Sequence, residues 1–106
     1  MQYLLIESQS TWDSGSVAYF YGLAADLAAG GNEVTLYLVQ NGVMTARSGA
    51  QDGRLASVAR TVRVLADDFS LRERAIGPEA LIAGVACSPI DAVVALLAGG
   101  AKTLWH

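Results

Sequence analysis

Residues Val85–Trp105 read VACSPIDAVVALLAGGAKTLW, and this stretch decides the fold. Val85–Cys87 is a short apolar run of strand type. Ser88 reads as a helix N-cap and Pro89 as the first helical residue, because a fixed φ suits a turn whose amide needs no partner. Ile90, Val93, Val94 and Leu97 recur at three- and four-residue spacing and mark one apolar helix face. Lys102–Trp105 then reads as a closing strand. The unit is strand–helix–strand, the building block of a parallel sheet.

The same alternation extends back to the start of the chain. Gln2–Glu7 (QYLLIE) is a nearly continuous apolar run, as expected of a strand covered on both faces. In SVAYFYGLAADLAAGG, residues Val17, Phe20, Leu23, Ala24 and Leu27 form a helix face. Asp13 or Ser14 is placed to cap that helix, and Gly30-Gly31 to end it. Glu33–Gln40 is a β-rich second strand. Asn41-Gly42 turns the chain, with positive φ expected there. RLASVART is a short helix, Val62–Ala66 a third strand, and DDFSLRERAI a short helix capped by Asp67 or Asp68. GPEALIAG reads ambiguously, with Pro78 suited to a first helical turn.

The expectation is therefore one α/β domain over residues 1–106, a three-layer sandwich around a mainly parallel five-stranded sheet. Right-handed crossovers bring every strand-to-helix loop to one edge, where ligands bind in such folds. The candidate loops are Ser8–Ser14, Asn41–Gly49, Asp67–Arg72 and Cys87–Pro89.

Composition narrows the function. Apolar residues make up 53% of only 106 residues, more than a small monomer readily hides, so a homo-oligomer is expected. The net charge is −3, and the basic residues are scattered, which argues against nucleic acid. No apolar run is long enough to cross a membrane. The opening MQYLLIESQS lacks the basic start and long apolar core of a signal peptide. With one cysteine and one histidine, a disulfide within the chain and a structural zinc site are both excluded. No cofactor is expected, and a reducing cytoplasm is the expected compartment.

Four stretches carry a family resemblance: YLLIES (3–8), LVQNGV (38–43), LADDFSLRERAI (65–76) and AKTLW (101–105). Together they resemble the DsrE/DsrF/DsrH family, which includes the Tus proteins of sulfur relay. The resemblance implies a small α/β sandwich that assembles as trimers, hexamers or hetero-hexamers. It also implies partners of DsrE/DsrF type and a TusA-like sulfur carrier. In active members a persulfide-bearing cysteine follows the third strand, several residues before an Arg-Gly pair. Counting back from Arg74 here reaches Asp67, not a cysteine, and Ala75 stands where the glycine would be. The resemblance thus implies a member without the usual sulfur-carrying thiol.

Cys87 is the remaining catalytic candidate. A helix N-terminus beside it would favour thiolate, whereas apolar neighbours would bury it as an inert side chain. The buried reading is preferred. Asp67 and Asp68 could act as an acid–base pair, but capping accounts for both. Arg72, in the run Arg72–Arg74, could meet an anionic sulfur species or form a solvated helix face. Trp12, Asn41 and Gly42 are candidates for the pocket rim. Trp105 is expected as the last sheet residue. His106 is expected as a solvated side chain without a catalytic role.

The leading expectation is a sulfur-relay-associated, non-catalytic scaffold or binding subunit. One alternative is a thiol sulfurtransferase carrying a persulfide on Cys87. The other is a small-ligand-binding module at the strand-end cleft, against which SQSTWDSGS lacks the glycine spacing of a phosphate loop.

Overall fold

The computed structural model describes residues 1–106. Five strands alternate with four helices: β1 (Gln2–Glu7), α1 (Val17–Ala29), β2 (Glu33–Leu38), α2 (Gly53–Val58), β3 (Arg63–Asp67), α3 (Asp68–Glu73), β4 (Val85–Ser88), α4 (Asp91–Ala98) and β5 (Lys102–Trp105). Short 3₁₀ turns occupy Gln40–Ala46, Ser48–Ala50 and Pro78–Ala80. The sheet order is β4-β3-β2-β1-β5, and every pairing is parallel. The expected sandwich is thus present, and its sheet is parallel throughout.

Handedness explains how the layers are filled. The chain steps from β1 to β2, β3 and β4 in one direction, so right-handed crossovers put α1, α2 and α3 on one face. It then returns from β4 past three strands to β5, which puts α4 on the other face. The first face carries a core of 16 buried residues, among them Leu36, Val64, Val17, Tyr21, Leu55 and Leu71. The second has only Leu4, Ile6, Tyr37, Leu65 and Val93. One eight-residue helix cannot cover a five-stranded sheet, and it leaves Ile90, Val94 and Leu97 about half exposed. Of the expected α4 face, only Val93 is buried.

Four local expectations are corrected. The buried stripe of α1 is Val17, Tyr21 and Ala24. The larger Tyr21 takes the centre of the contact, Phe20 and Leu27 pack at its flanks, and Leu23 is left exposed. No side chain of Asp13 or Ser14 caps α1, although the Ser14 carbonyl accepts from the Val17 amide at 3.4 Å. Asp13 accepts from the Ser10 amide, and Ser16 occupies the N-cap position.

Ser88 does not cap α4 either, and Pro89 precedes the helix instead of starting it. Ser88 is the last residue of β4, paired with Asp67 and buried, while the helix begins at Asp91. A residue before proline is pushed towards extended backbone, so Ser88 prolongs the strand.

Asn41-Gly42 is not the left-handed site. That conformation falls on Gln40, with φ 50°, whose amide donates to Ser70 Oγ at 2.8 Å. Gly42 is required for another reason. A Cβ at this position would run into the backbone carbonyl of Glu7. A side chain here forces the Gln40–Ala46 turn away from β1. Gly42→Ala is therefore expected to lower unfolding free energy by about 1–3 kcal/mol, read as an earlier urea midpoint. An unchanged midpoint would contradict the close packing.

Candidate functional site

The carboxyl ends of the strands form one edge, and two side-chain clusters occupy it. The first lies where β3 and β4 end. Their outgoing chains run to opposite faces, the place where open parallel sheets leave a crevice. Here the crevice is filled. The Tyr37 hydroxyl donates to Asp67 Oδ1 at 2.9 Å and lies 3.1 Å from the Ser88 carbonyl. Asp67 Oδ2 accepts from the Ser70 amide at 3.0 Å and its hydroxyl at 2.7 Å. Both carboxylate oxygens of Asp67 are thus engaged in capping α3 and holding Tyr37. Burial pushes the Tyr37 hydroxyl upward, and the neighbouring Asp67 adds to the shift.

The other candidates from the sequence surround this cluster without converging. Asp68 pairs with Arg72 across one helical turn at 3.3 Å on the surface. Asn41 Oδ1 accepts from Arg74 Nη2 at 3.0 Å. Trp12 is exposed, with the Arg47 guanidinium 5.9 Å from its ring centroid. Gly42 packs beneath, against Glu7. Of the sequence candidates, Trp12, Asn41, Gly42, Asp67, Asp68 and Arg72 line neither cavity of the molecule. One cavity lies at the amino ends of the strands, between Gln2, Asn32 and Arg63. The other lies between Met44, Arg47, Arg74 and Ala80.

Cys87 differs from the buried side chain expected. Its register partner is Ala66, so it faces the α1–α3 layer, but β4 is an edge strand and the thiol is exposed. Desolvation pushes the thiol upward, the Asp68 carboxylate adds to this, and Arg72 opposes it. The balance favours the neutral thiol, which is the less reactive form. No group of three or more His, Cys, Asp or Glu side chains is arranged to hold a metal ion.

The second cluster lies at the β1 end and was not expected. Glu7, the last residue of β1, is fully buried. A buried carboxylate needs partners, and it finds the Gln9 amide at 3.0 Å and His106 Nδ1 at 2.9 Å from both oxygens. His106 is therefore not a freely solvated side chain. Its amide donates to the Ile6 carbonyl and its own carbonyl accepts from the Ser8 amide, continuing the β1–β5 ladder. Phe20 stacks on the imidazole with ring centroids 5.3 Å apart. Nε2 lies 2.7 Å from Ser16 Oγ, which is in turn 2.7 Å from Ser14 Oγ. With a carboxylate at Nδ1, the neutral ring carries its proton there and Nε2 is left as an acceptor. A separation of 99 residues between Glu7 and His106 hid the pair from sequence patterning.

Solved structures match this fold closely. MTH1491 of Methanobacterium thermoautotrophicum, of unknown function, superposes with a TM-score of 0.83 at 18% identity over all of both chains. The ychN protein of E. coli gives a TM-score of 0.83 at 20% identity, again over all of both chains. BT1422 of Bacteroides thetaiotaomicron, a conserved protein of unknown function, gives 0.76 at 12% identity, covering 99% of this chain and 95% of that one. The shared property is the fold. No protein-family model and no curated protein matches the chain. No helix is long and apolar enough to cross a membrane.

The buried Glu7 sets a pH dependence. Desolvation by burial raises its carboxyl, and the Gln9 and His106 hydrogen bonds offset part of the rise. A raised folded value means that the unfolded chain ionises first as pH increases. The favourable contribution is fully present below the ordinary carboxylate value and lost as pH passes through the folded one. Relative to Glu7→Gln, the wild-type unfolding free energy is expected to decline as pH rises from about 4. A difference that grows over this range in urea titrations would contradict the assignment.

Proposed function

We propose that the protein is a DsrE-like subunit associated with sulfur relay, acting as a scaffold or binding partner in a homo-oligomer without thiol chemistry of its own. The observation that carries this reading is the apolar surface left by the lone helix α4. Ile90, Val94 and Leu97 are 53%, 60% and 51% exposed. Trp105 is 66% exposed and, paired with Ile6 in register, lies on the same face of the sheet. Side chains of this size and exposure on one face support contact with a second copy of the chain. Aromatic and aliphatic anchors of this type dominate interface energies.

The lack of thiol chemistry is supported by the sequence at the β3 end and by the surroundings of Cys87. Where the resembled family carries its sulfur, this chain has Asp67, committed to capping and to Tyr37. Cys87 has a carboxylate neighbour that disfavours the thiolate. The exposure of Cys87, with Arg72 as a neighbouring cation, favours the alternative of a relocated sulfur carrier.

Two measurements test the proposal. Light scattering at micromolar concentration is expected to report a multiple of 11.1 kDa, and Val94→Asp to shift the protein towards the single chain. A wild-type mass of one chain would overturn the oligomer. Treatment with a persulfide donor is expected to give no sulfur adduct that Cys87→Ser lacks. A stable adduct of one sulfur atom in the parent alone would make the protein a sulfurtransferase.

A further inference from the structure

We propose that Ser16, His106 and Glu7 form a nucleophilic triad that accepts acyl groups from neutral carboxylic esters and hydrolyses them. The geometry has the parts such chemistry needs. Ser16 is exposed, and its Oγ lies 2.7 Å from His106 Nε2. The opposite ring nitrogen lies 2.9 Å from the fully buried carboxylate of Glu7. A serine is activated when a base reaches its hydroxyl and a third group fixes the base, whatever the fold or the order of residues.

The imidazole is held more firmly than a surface contact would require. Its backbone is pinned by Ile6 and Ser8, its face is covered by Phe20, and its Nδ1 is fixed by Glu7. The rotation that would break the Ser16 contact therefore costs several interactions at once. A merely structural histidine in this position needs the Glu7 bond but has no need of an exposed serine at hydrogen-bond distance from its outer nitrogen.

The surroundings select the substrate. Ser16 is the N-cap residue of the 13-residue helix α1. The amides of Ala18 and Tyr19 in its first turn have no acceptor within the chain, so donors for a developing oxyanion are close to the nucleophile. Tyr19, 83% exposed, follows the serine by one helical turn and offers apolar surface to an acyl or alcohol group. Asp13 is the charged residue of the adjoining loop, and it disfavours anionic substrates. Ser16 lines neither cavity of the molecule.

The reaction balances with water as the only co-reactant. Ser16 Oγ attacks the ester carbonyl carbon as its proton passes to His106 Nε2. The bond from carbon to the alcohol oxygen breaks, and Nε2 returns the proton to the departing alcohol. Water then attacks the acyl-serine carbon and gives one proton to Nε2. The bond from carbon to Ser16 Oγ breaks, the acid leaves, and the proton returns to Ser16. Glu7 stabilises the imidazolium formed in each half and does not itself accept the proton. This activity uses neither Cys87 nor the apolar face of α4, so it stands or fails separately from the sulfur-relay reading.

The test uses the full chain carrying Cys87→Ala, so that no thiol contributes. A fluorophosphonate probe is expected to label one residue, Ser16, located by peptide mass mapping. 4-Nitrophenyl acetate is expected to be hydrolysed, with both signals falling about 100-fold or more in Ser16→Ala and in His106→Gln. Glu7→Gln, which keeps the shape but offers Nδ1 an amide, is expected to fall as well. Should His106→Gln fail to fold by circular dichroism, diethyl pyrocarbonate can be used on the parent protein, where His106 is the single histidine. That treatment must abolish labelling. Absence of label on Ser16 in folded protein, or label undiminished when His106 is replaced or blocked, would overturn the triad.

Discussion

The carboxylate of Glu7 is the constraint around which the carboxyl-end edge is built. It is fully buried at the last position of β1, where an unpartnered charge would cost several kcal/mol, on the order set by ion desolvation. Its partners must therefore come to it. The Gln9 amide turns back towards it, and His106 is drawn over the end of the sheet. The backbone of the same residue constrains the other side, since the Val39 amide donates to the Glu7 carbonyl and Gly42 packs directly on it. One residue thereby fixes the exit of β1, the exit of β2 and the residue following β5.

The direction of strand addition has an equal effect on the surface. Three successive crossovers build a thick layer on one face, and the single return leaves a thin one on the other. Helix α4 is apolar all round because DAVVALLA has little else to offer, yet only Val93 is buried. Within one chain this arrangement exposes apolar area that costs free energy in water. A second copy laid against α4 and Trp105, as in the proposed homo-oligomer, would remove that cost.

Much of this was legible in the sequence because it depends on local patterning. Continuous apolar strands, four amphipathic segments and glycine stops specify a parallel α/β layer fold, and the cap of α3 was recognisable as Asp67 or Asp68, with Asp67 the one that serves. Errors arose where a long-range contact overrode a local preference. Ser88 looked like a cap, but proline after it and Asp67 beside it made it a strand residue. Gly42 looked like a φ requirement and is instead a contact requirement. Cys87 looked buried by its apolar neighbours, which say nothing of whether a strand lies at the edge of the sheet. The Glu7–His106 pair left no signal, apart from a glutamate closing an otherwise apolar strand.

The two clusters at this edge have the same kinds of group and opposite states. At the β3–β4 end a carboxylate, a tyrosine and a serine satisfy one another completely, and both oxygens of Asp67 are occupied by protein donors. Such a network is rigid and closed to a ligand unless its own bonds are broken. At the β1 end the hydrogen bonds form a chain that runs outward, from buried Glu7 through a half-buried imidazole to an exposed hydroxyl. A buried charge at one end and solvent at the other give that chain a direction. Proton movement along it changes the charge on His106 beside a carboxylate already in place, with little reorganisation. The difference between the clusters lies in where the last polar atom points, and only the β1 cluster presents one to an incoming molecule.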